Sequence, residues 1–397
     1  MNMLFRSSLV DTADHQPMLR DSVGKLVGRY GRRYFQDLYR SGGKPVELWK
    51  ELAAAGVLGL HIPESYGGGG LGLADYAVAV EEVAAQGCPI LSLVINSITA
   101  PIIATHGDEA LKRVWLPGLA DGSLTNTHRI STIARKRAGG WLLNGRKYWT
   151  SAVDEADAIM VVARGEEVDA RGRSPLSLFM IPADAKGISR TPIETALHVP
   201  ETQFMLFFDD VEVAPGGLIG VEGQGLKQVF AGLNPERVCA AAINNGIARY
   251  ALEQASRYAN ERKVWDTPIG AHQGVAHPLA KAYMAVQQAR LMTARAAELS
   301  DLGSPEAGEA ANIAKFAAAD SSLEALDQAI QVHGGNGLSI EYGLADLWFI
   351  ARLHKTAPVS REMVLNFVAQ HSLGQFGGRN ILEHAAVSAH GSTQGLA

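Results

Sequence analysis

Apolar residues recur along the chain with different periods, and each period predicts a different kind of element. From about residue 46 to residue 119 they follow the period of helices that bury one face. The centre of the chain instead has short apolar runs separated by Pro, Gly and Asp, which indicate strands at 158–162, 176–181 and 204–208. After Gly225 the helical period returns in Ala-rich segments, which are 226–262, 278–302, 305–332 and 342–372.

One dipeptide in the centre of the chain predicts a tight turn. Asn144-Gly145 separates two short runs, 141–143 and 146–150, that have the composition of strands. A two-residue turn of type I′ needs positive φ at both central residues, which Asn and Gly tolerate best. We therefore predict a β-hairpin centred on Asn144 and Gly145.

The order of these elements predicts an α+β fold that is mainly α. We expect an N-terminal α-helical domain at 1–122, a small antiparallel β domain at 123–224, a C-terminal four-helix bundle at 225–374 and a tail at 375–397. Short connections between long helices favour an antiparallel bundle. Because strands and helices do not alternate, the pattern excludes a Rossmann fold.

Composition and charge narrow the class of protein. Hydrophobic residues make up 47% of the 397 residues and charged residues 19%, an ordinary globular balance, and the net charge of −5 argues against a nucleic-acid partner. The two cysteines, Cys88 and Cys239, lack disulfide or metal spacing, and the histidines are scattered, so we expect a cytoplasmic protein without a metal site. We also expect neither a signal peptide nor a membrane span, since no apolar run is long enough.

Five short motifs follow one another along the chain. They are 62–68 (IPESYGG), 143–151 (LNGRKYWTS), 259–262 (ANER), 268–273 (PIGAHQ) and 331–337 (QVHGGNG). Each alone has an ordinary explanation as a turn, a strand or a helix end. Together, their order and spacing resemble the acyl-CoA dehydrogenase family from about Val46 to Gly374. The resemblance implies FAD as cofactor, an acyl-CoA thioester as substrate, an electron-transfer flavoprotein as partner and a homo-oligomer, either a dimer or a tetramer.

The tetrapeptide Asn234-Pro235-Glu236-Arg237 carries the most information about chemistry. Its structural explanation is an Asn N-cap, a Pro at the first helical position and a carboxylate in the first turn. The resemblance instead makes Glu236 the base that takes the substrate α-proton, as in the isovaleryl-CoA and long-chain members, while hydride passes to flavin N5. It also places Asn234 and Arg237 at the substrate. Other members carry the base in a later motif, where this chain has Pro358, which cannot accept a proton.

The same resemblance assigns residues to FAD in three groups. In the first, an aromatic side chain packs on the isoalloxazine ring and a following hydroxyl, here that of Ser151, lies near N5. In the second, a guanidinium faces the pyrophosphate and an aromatic side chain packs near the adenosine. The third approaches the FAD of a neighbouring subunit or helps to bind the cofactor. In order along the chain the residues are Trp149, Thr150, Ser151, Arg262, Trp265, Gln273, Gln331, Gly334, Gly335, Ser360 and Glu362.

The chain departs from the family pattern in two places. About a dozen residues of a flavin-contacting segment are missing before Thr125. Either they are deleted, which removes flavin contacts, or a mobile loop is left out of the numbering, and we favour the second explanation. The other departure is Pro358, which lacks the N–H that polarises the thioester carbonyl in members with the late base. We expect Val359 N–H, a flavin ribityl hydroxyl or a shifted backbone group to replace it.

Two alternative functions remain open at this point. An acyl-CoA oxidase-type flavin enzyme would use the same scaffold and release peroxide. A non-catalytic subunit of a heteromeric acyl-CoA dehydrogenase would have lost its flavin, as the missing segment suggests, although Glu236, Arg262 and 331–337 argue against that.

Overall fold

The computed structural model describes residues 5, 9–124, 126–168 and 174–374, with 126–131 described by their backbone. The expected tail at 375–397 and Thr125 lie outside the described residues. The helices are α1 (Gln16–Gly28), α2 (Gly31–Ser41), α3 (Val46–Ala54), α4 (Leu73–Ala85), α5 (Ser92–His106), α6 (Glu109–Ala120), α7 (Gly225–Glu261), α8 (Gln273–Asp301), α9 (Ala307–His333), α10 (Leu347–Leu353) and α11 (Arg361–His371). No helix of these residues is both long and apolar enough to cross a membrane.

The central part of the chain forms one seven-stranded sheet. Its strands are β1 (Asn126–Arg137), β2 (Gly140–Ser151), β3 (Ala158–Gly165), β4 (Leu176–Pro182), β5 (Ile188–Ile193), β6 (Gln203–Val213) and β7 (Leu218–Ile219), in the spatial order β5-β6-β2-β1-β3-β4-β7. A short hairpin, β8 (Lys263–Val264) with β9 (Thr267–Pro268), follows α7. The mainly helical α+β fold class is confirmed. The large sheet is mixed and not purely antiparallel, because β1 runs parallel to β3.

The predicted hairpin at Asn144-Gly145 is wrong. Both residues lie inside β2, where Asn144 pairs with Ile133 of β1. On its other side β2 shifts register against β6 at this point, and the Asn144 amide exchanges hydrogen bonds of 2.8 and 3.0 Å with the side chain and backbone of Asp210. The dipeptide therefore forms part of a β-bulge. Asp210, on the opposite strand of this bulge, has a positive φ of 47°. The turn lies between β1 and β2, after Arg137.

The fourth predicted bundle helix is two short helices in the structure. The segment 342–372 was expected to be continuous, but α10 ends at Leu353 and α11 starts at Arg361. Pro358 lies between them and cannot donate the backbone hydrogen bond that a helix interior needs. The other three segments are the long helices α7, α8 and α9.

Helix α7 extends over 37 residues and packs closely against the N-terminal helices. At Gly232 a Cβ would lie 2.3 Å from the carbonyl oxygen of Ile98 in α5, and at Gly246 it would lie 2.3 Å from that of Glu81 in α4. Only glycine allows these backbones to approach so closely. The contact with α5 is four residues before Glu236, so it fixes the candidate base relative to the N-terminal domain.

A buried ionic cluster joins four of the helices. Glu81 on α4 accepts hydrogen bonds from Arg290 at 2.8 Å, from Arg249 at 2.9 Å and from Arg20 at 3.2 Å, and Glu82 pairs with Arg249 at 2.8 Å. Burial alone would raise the pKa of Glu81, but the three guanidiniums bring it down to about 2. Removing one member of such a cluster typically costs about 3 to 5 kcal/mol because a buried charge loses its partner. The cluster therefore fixes α1, α4, α7 and α8 to one another.

Lys147 is an unusual buried amine in the sheet. Its side chain is 2% exposed, and its Nζ donates a 2.7 Å hydrogen bond to the carbonyl of Val162. Burial, with a smaller effect of Arg164, lowers its pKa from 10.5 to about 6. The unfolded chain therefore binds one more proton than the folded chain between these two pH values, and this costs stability as pH falls from 10.5 to 6.

Replacing Lys147 with Met should stabilise the protein, by about 2 kcal/mol between pH 6 and pH 7, because no ammonium then has to lose its proton on folding. The gain should shrink toward zero as pH rises to about 10. Urea unfolding of both forms at several pH values measures this difference. A difference that stays constant from pH 6 to pH 10 would show that the lysine is charged in the folded protein.

Candidate active site

Glu236 lies in the interior of α7 and not at its N-terminus. The helix begins at Gly225 and includes Pro235, so Asn234 is not an N-cap and the first-turn explanation of this tetrapeptide is wrong. A carboxylate this far inside a helix is not stabilised by the helix dipole, whose effect falls off within the first turn. Its ionisation is therefore set by its neighbours.

Glu236 acts electrostatically on two cations, half-buried Arg237 and buried Lys315. Arg237 donates a 2.9 Å hydrogen bond to Asn234 and packs over the ring of Phe230. Burial lowers the pKa of Arg237, while the charge of Glu236 acts in the opposite direction. The second cation is Lys315 of α9, on which Glu236 also acts electrostatically. The candidate base thus lies beside two positive charges, which favour its ionised form.

The turn between α10 and α11 closes this part of the site. Lys315 Nζ donates a 2.5 Å hydrogen bond to the carbonyl of Val359, and the hydroxyl of Ser360 accepts one from the backbone N–H of Met363, which caps α11. Glu362 in the first turn of α11 acts electrostatically on Lys315. Ser360 and Glu362 thus lie together at the start of α11, and Glu362 and Glu236 both act electrostatically on Lys315.

Sequence reasoning missed two buried polar side chains, those of Lys315 and His354. Lys315 is 1% exposed, and the ring of His354 (3% exposed) contacts the side-chain oxygen of Asn244 at 3.0 Å. Burial and the charge of Lys315 lower the pKa of His354 to about 3, so it is neutral. One signal could have revealed Lys315, because it occurs in an Ala-rich helix beside positions, such as Ala314 and Ala318, that the helical period buries.

Trp149, Thr150 and Ser151 lie at the end of β2, where the backbone is irregular. The pairing of β2 with β6 shifts register between Lys147 and Thr150, and Trp149 has φ 62 with its indole 40% exposed. Ser151 Oγ donates to the side-chain oxygen of Gln203 at 2.9 Å. Thr150 Oγ1 is buried without a hydrogen-bond partner among the described residues. A non-glycine residue at positive φ stores strain, and such strain is common at functional sites.

The early helices and the β domain enclose a cavity of about 340 Å³ beside this strand end. Its walls include Trp49 of α3, Ile95 of α5 and Ala152, the residue after Ser151. Buried Glu201 also lines it and accepts hydrogen bonds from the backbone and hydroxyl of Ser92 at 3.0 and 3.2 Å. Enclosed space therefore lies next to the residues assigned to the flavin ring.

The remaining assigned residues lie at the opposite end of α7. Arg262 and Trp265 are exposed in the connection between α7 and α8, with the Trp265 side chain 86% exposed, and exposed Gln273 begins α8. Gln331 lies in the last turn of α9, and Gly334 and Gly335 follow it. This segment meets the same end of α7, because the ring of His333 stacks on Tyr258 at 4.3 Å and the Asn336 amide donates to the Tyr258 hydroxyl at 3.2 Å.

A helix rises about 1.5 Å per residue, so the 26 residues from Glu236 to Arg262 correspond to about 39 Å. The residues around Glu236 form one group and those beyond the C-terminal end of α7 form a second. The length of α7 keeps the two groups apart.

The residues assigned to FAD fit a dinucleotide only in part within one chain. At the end of β2, an exposed indole and a buried hydroxyl without a partner are suited to a flat polar ring. At the far end of α7, an exposed guanidinium can bind phosphate oxygens with two donors, and the backbone of Gly334 has φ 58. The donor types therefore fit FAD, while the two groups of assigned residues lie too far apart along α7 to surround one flavin within a single chain.

Three family models match successive parts of the chain. The model described as acyl-CoA dehydrogenase, N-terminal domain, matches residues 13–123, the middle-domain model matches 121–211, and the C-terminal-domain model matches 223–373. Together they match most of the sequence.

Similar proteins support the same assignment. The acyl-CoA dehydrogenase FadE12 of Mycobacterium tuberculosis is 47% identical over 382 residues, which cover 93% of this chain and 98% of that protein. The probable acyl-CoA dehydrogenase YngJ of Bacillus subtilis is 30% identical, with 90% and 98% covered. Among solved structures, a glutaryl-coenzyme A dehydrogenase in complex with glutaryl-CoA has a TM-score of 0.86 at 27% identity, covering 92% of this chain and 96% of that one.

The match with FadE12 also bears on the missing segment. It extends over 382 positions but includes 93% of the 397 residues here, which is about 369, so about a dozen positions have no counterpart in this chain. The full sequence is continuous from Ser123 through Leu124 to Thr125. The explanation that we favoured, a loop left out of the numbering, is therefore wrong, and the residues are absent from the chain.

Replacing Thr150 with Val should separate the cofactor role of its hydroxyl from its packing. Without FAD the variant should be more stable by about 1 kcal/mol, because an unpaired buried hydroxyl is removed. With FAD it should gain less stability than the wild type if the cofactor satisfies that hydroxyl. Thermal unfolding with and without FAD measures both effects.

Ser151→Ala is the matched control, since its hydroxyl already has a partner and its loss should destabilise the protein without FAD. An equal gain from FAD in wild type and Thr150→Val would remove Thr150 from the cofactor site.

Proposed function

Because the chain belongs to the acyl-CoA dehydrogenase family, we propose that it catalyses the α,β-dehydrogenation of an acyl-CoA thioester, with Glu236 as the base. It is an oxidoreductase, and its cofactor is FAD. The observation that carries the proposal is the place of Glu236 on α7, four residues after the close contact of Gly232 with Ile98 of α5, where it acts electrostatically on Arg237 and Lys315. When bound, FAD supplies the two-electron acceptor for the substrate β-hydride.

A carboxylate in this position suits the removal of a weakly acidic proton. It must be ionised before the substrate binds, and the two neighbouring cations favour that state. An acyl group that covers it would exclude water and raise its proton affinity at the moment when the α-proton has to move. In this proposal Arg237 and the backbone of the 358–360 turn orient the thioester end of the substrate. The donor that replaces the N–H missing at Pro358 stays a prediction.

We propose a homo-oligomer in which two copies of the chain complete each FAD site. Ring contacts near Trp149 and Glu236 belong to one protomer, and Arg262, Gln273 and the 331–337 loop belong to the next. The distance of about 39 Å along α7 supports this division, because a flavin ring and its own pyrophosphate are much closer together than that. Whether the complete particle is a dimer or a tetramer follows from its mass in solution.

The wider role is inferred from the same reaction. Hydride removed from an acyl-CoA must leave the flavin again, and we propose an electron-transfer flavoprotein as the acceptor. We propose that the enzyme works in the cytoplasm and in fatty acid metabolism, where acyl-CoA thioesters are oxidised. The similarity to acyl-CoA dehydrogenases over nearly the whole chain supports this role.

The missing segment favours one other candidate function, that of a non-catalytic subunit of a heteromeric acyl-CoA dehydrogenase. Losing about a dozen residues before β1 removes contacts that the family makes to flavin. A visible spectrum of the purified protein separates the two functions. A chain that stays colourless after incubation with FAD supports the non-catalytic role, and a yellow protein supports the enzyme.

Replacing Glu236 with Gln should leave FAD bound and slow bleaching of the flavin by acyl-CoA by at least about 1,000-fold, because an amide cannot take the α-proton. Anaerobic stopped-flow spectra with acyl-CoAs of several chain lengths measure this rate. Glu253→Gln is the matched control. It removes a carboxylate from the same helix, 17 residues or about 25 Å further along, and should bleach at the wild-type rate. Wild-type bleaching in Glu236→Gln would overturn the assignment of the base.

Mixing two defective variants should restore activity if two chains complete each site. In a hybrid of Glu236→Gln and Arg262→Ala, one site combines the intact Glu236 of one chain with the intact Arg262 of the other. An equal mixture refolded together should regain about one quarter of wild-type activity if the sites of each dimer act independently. Steady-state rates of the mixture and of each variant alone measure this. No gain on mixing would place Arg262 at the FAD of its own chain.

A further inference from the structure

Two buried polar side chains border the cavity of about 340 Å³ between the early helices and the β domain. Glu201 is 3% exposed and its Oε1 accepts both hydrogen bonds from Ser92, while its Oε2 has no partner in the part of the chain that the structure describes. Asn96 is 5% exposed and donates to the carbonyl of Leu58 at 2.9 Å, and its Oδ1 likewise has no partner there. Such an atom costs about 1 to 3 kcal/mol. A molecule in the cavity is the candidate partner for both.

The rest of the wall is largely apolar. Its larger apolar side chains are those of Pro45, Val46, Trp49, Ile95, Leu119 and Leu124. Lys44 also lines the cavity, but its charge is balanced by Glu155 at 2.6 Å and by Asp154 at 3.3 Å. The other lining cation, Lys50, is exposed to solvent. Apolar walls with a few fixed polar groups are typical of a small-molecule site, and here they suit an aliphatic group with one polar end.

The cavity borders both elements that the proposed reaction uses. Ala152 in its wall directly follows Ser151 at the end of β2. On α5, Asn96 is two residues from Ile98, whose carbonyl oxygen would lie 2.3 Å from a Cβ at Gly232. Glu236 follows Gly232 by about one helical turn. Helix α5 therefore connects the cavity wall to the part of α7 that carries the candidate base.

The unpaired oxygen atoms restrict the polar end of a ligand. Burial raises the pKa of Glu201, while the hydrogen bond from the backbone of Ser92 acts against this. An ionised carboxylate only accepts hydrogen bonds, whereas a protonated one can also donate. A hydroxyl both donates and accepts, so it fits Glu201 in either state, and it can donate to Asn96 Oδ1. A carboxylate end would bring like charge to Glu201, and a methyl end would leave the oxygen atoms unpaired.

We propose that this cavity binds the far end of the acyl group, and that this end carries a hydroxyl held by Glu201 and Asn96. The inference rests on the proposed function, since an acyl-CoA is the substrate of that reaction. Glu201 and Asn96 thereby determine specificity and take no part in the chemistry. The apolar side chains between them and the reacting carbons pack along the aliphatic part of the acyl group.

Isothermal titration of the FAD-bound protein tests the proposal with acyl-CoAs of several chain lengths, each ending in a methyl, a hydroxyl or a carboxylate. At the length that reaches the cavity, the hydroxyl-ended ligand should bind about ten-fold more tightly than the methyl-ended one, and the carboxylate-ended one most weakly. In Glu201→Met this preference should disappear, because binding of the hydroxyl-ended ligand weakens while that of the methyl-ended ligand does not. Glu201→Gln should keep part of the preference, since its amide still bonds a hydroxyl.

Asp301→Met is the matched control. It also removes a carboxylate that accepts two hydrogen bonds at the start of a helix, from Leu73 at 2.6 Å and from Ala74 at 2.9 Å, but Asp301 is not part of the cavity wall. This variant should keep the preference for a hydroxyl. A general loss of folding would weaken the binding of all three ligands alike, which separates it from a loss of specificity.

The possible outcomes separate this inference from the proposed function. Equal binding of methyl-ended and hydroxyl-ended ligands at every length would overturn the inference, and the reaction would stand if either ligand bleaches the flavin. A preference that survives in Glu201→Met would also overturn it. If the preference depends on Glu201 but no acyl-CoA bleaches the flavin, the proposed reaction fails while the binding site stands.

Discussion

The length of α7 is the constraint on which the rest of the site depends. A single helix of 37 residues carries the candidate base in its first half and ends just before Arg262, and hydrogen bonding along the helix leaves no freedom in that distance. If both residues serve a flavin, as we propose, one copy of the chain cannot bring them to the same one. The proposed sharing of each site by two protomers therefore rests on helix geometry, and the exposed Trp265 lies in the connection that a second copy would contact.

Buried charge is used in two different ways along this helix. Around Glu81 three arginines face three carboxylates, those of Asp11, Glu81 and Glu82, and short hydrogen bonds join them, so the charges balance and the cluster fixes four helices. Around Glu236 the cations are held by other partners, with Arg237 on Asn234 and Lys315 on the Val359 carbonyl. Under the proposed function, nearby positive charge favours the anion of Glu236, which can then accept the substrate proton. The first arrangement suits a scaffold, and the second suits a base.

Periodicity predicted the fold class and most elements, because buried faces repeat with the geometry of helices and strands. The prediction from periodicity failed where contacts between distant parts of the chain determine the local structure. Asn144-Gly145 has the composition of a turn, but the hydrogen bonds of Asn144 to Asp210 make it a bulge, and a partner 66 residues away cannot be read from a local pattern. The candidate site came from motif resemblance, which proposed Glu236 as the base but gave no account of the side chains around it. Lys315 was not recognised from the sequence, because the groups that surround it belong to other elements and come close to it only in the folded chain.

The missing segment changes the β domain less than its length suggests. Strand β1 pairs with β2 through residues 132–137 and with β3 through 126–134, with a register shift between Ile130 and Thr132. One strand thus bridges the two halves of the sheet, and the strand end that carries Trp149, Thr150 and Ser151 keeps its support. The pairing of the sheet therefore does not need that segment. Under the proposed function the absent residues are ones that contact flavin in the family, so binding of FAD here would depend more strongly on the buried hydroxyl of Thr150 and on a second protomer.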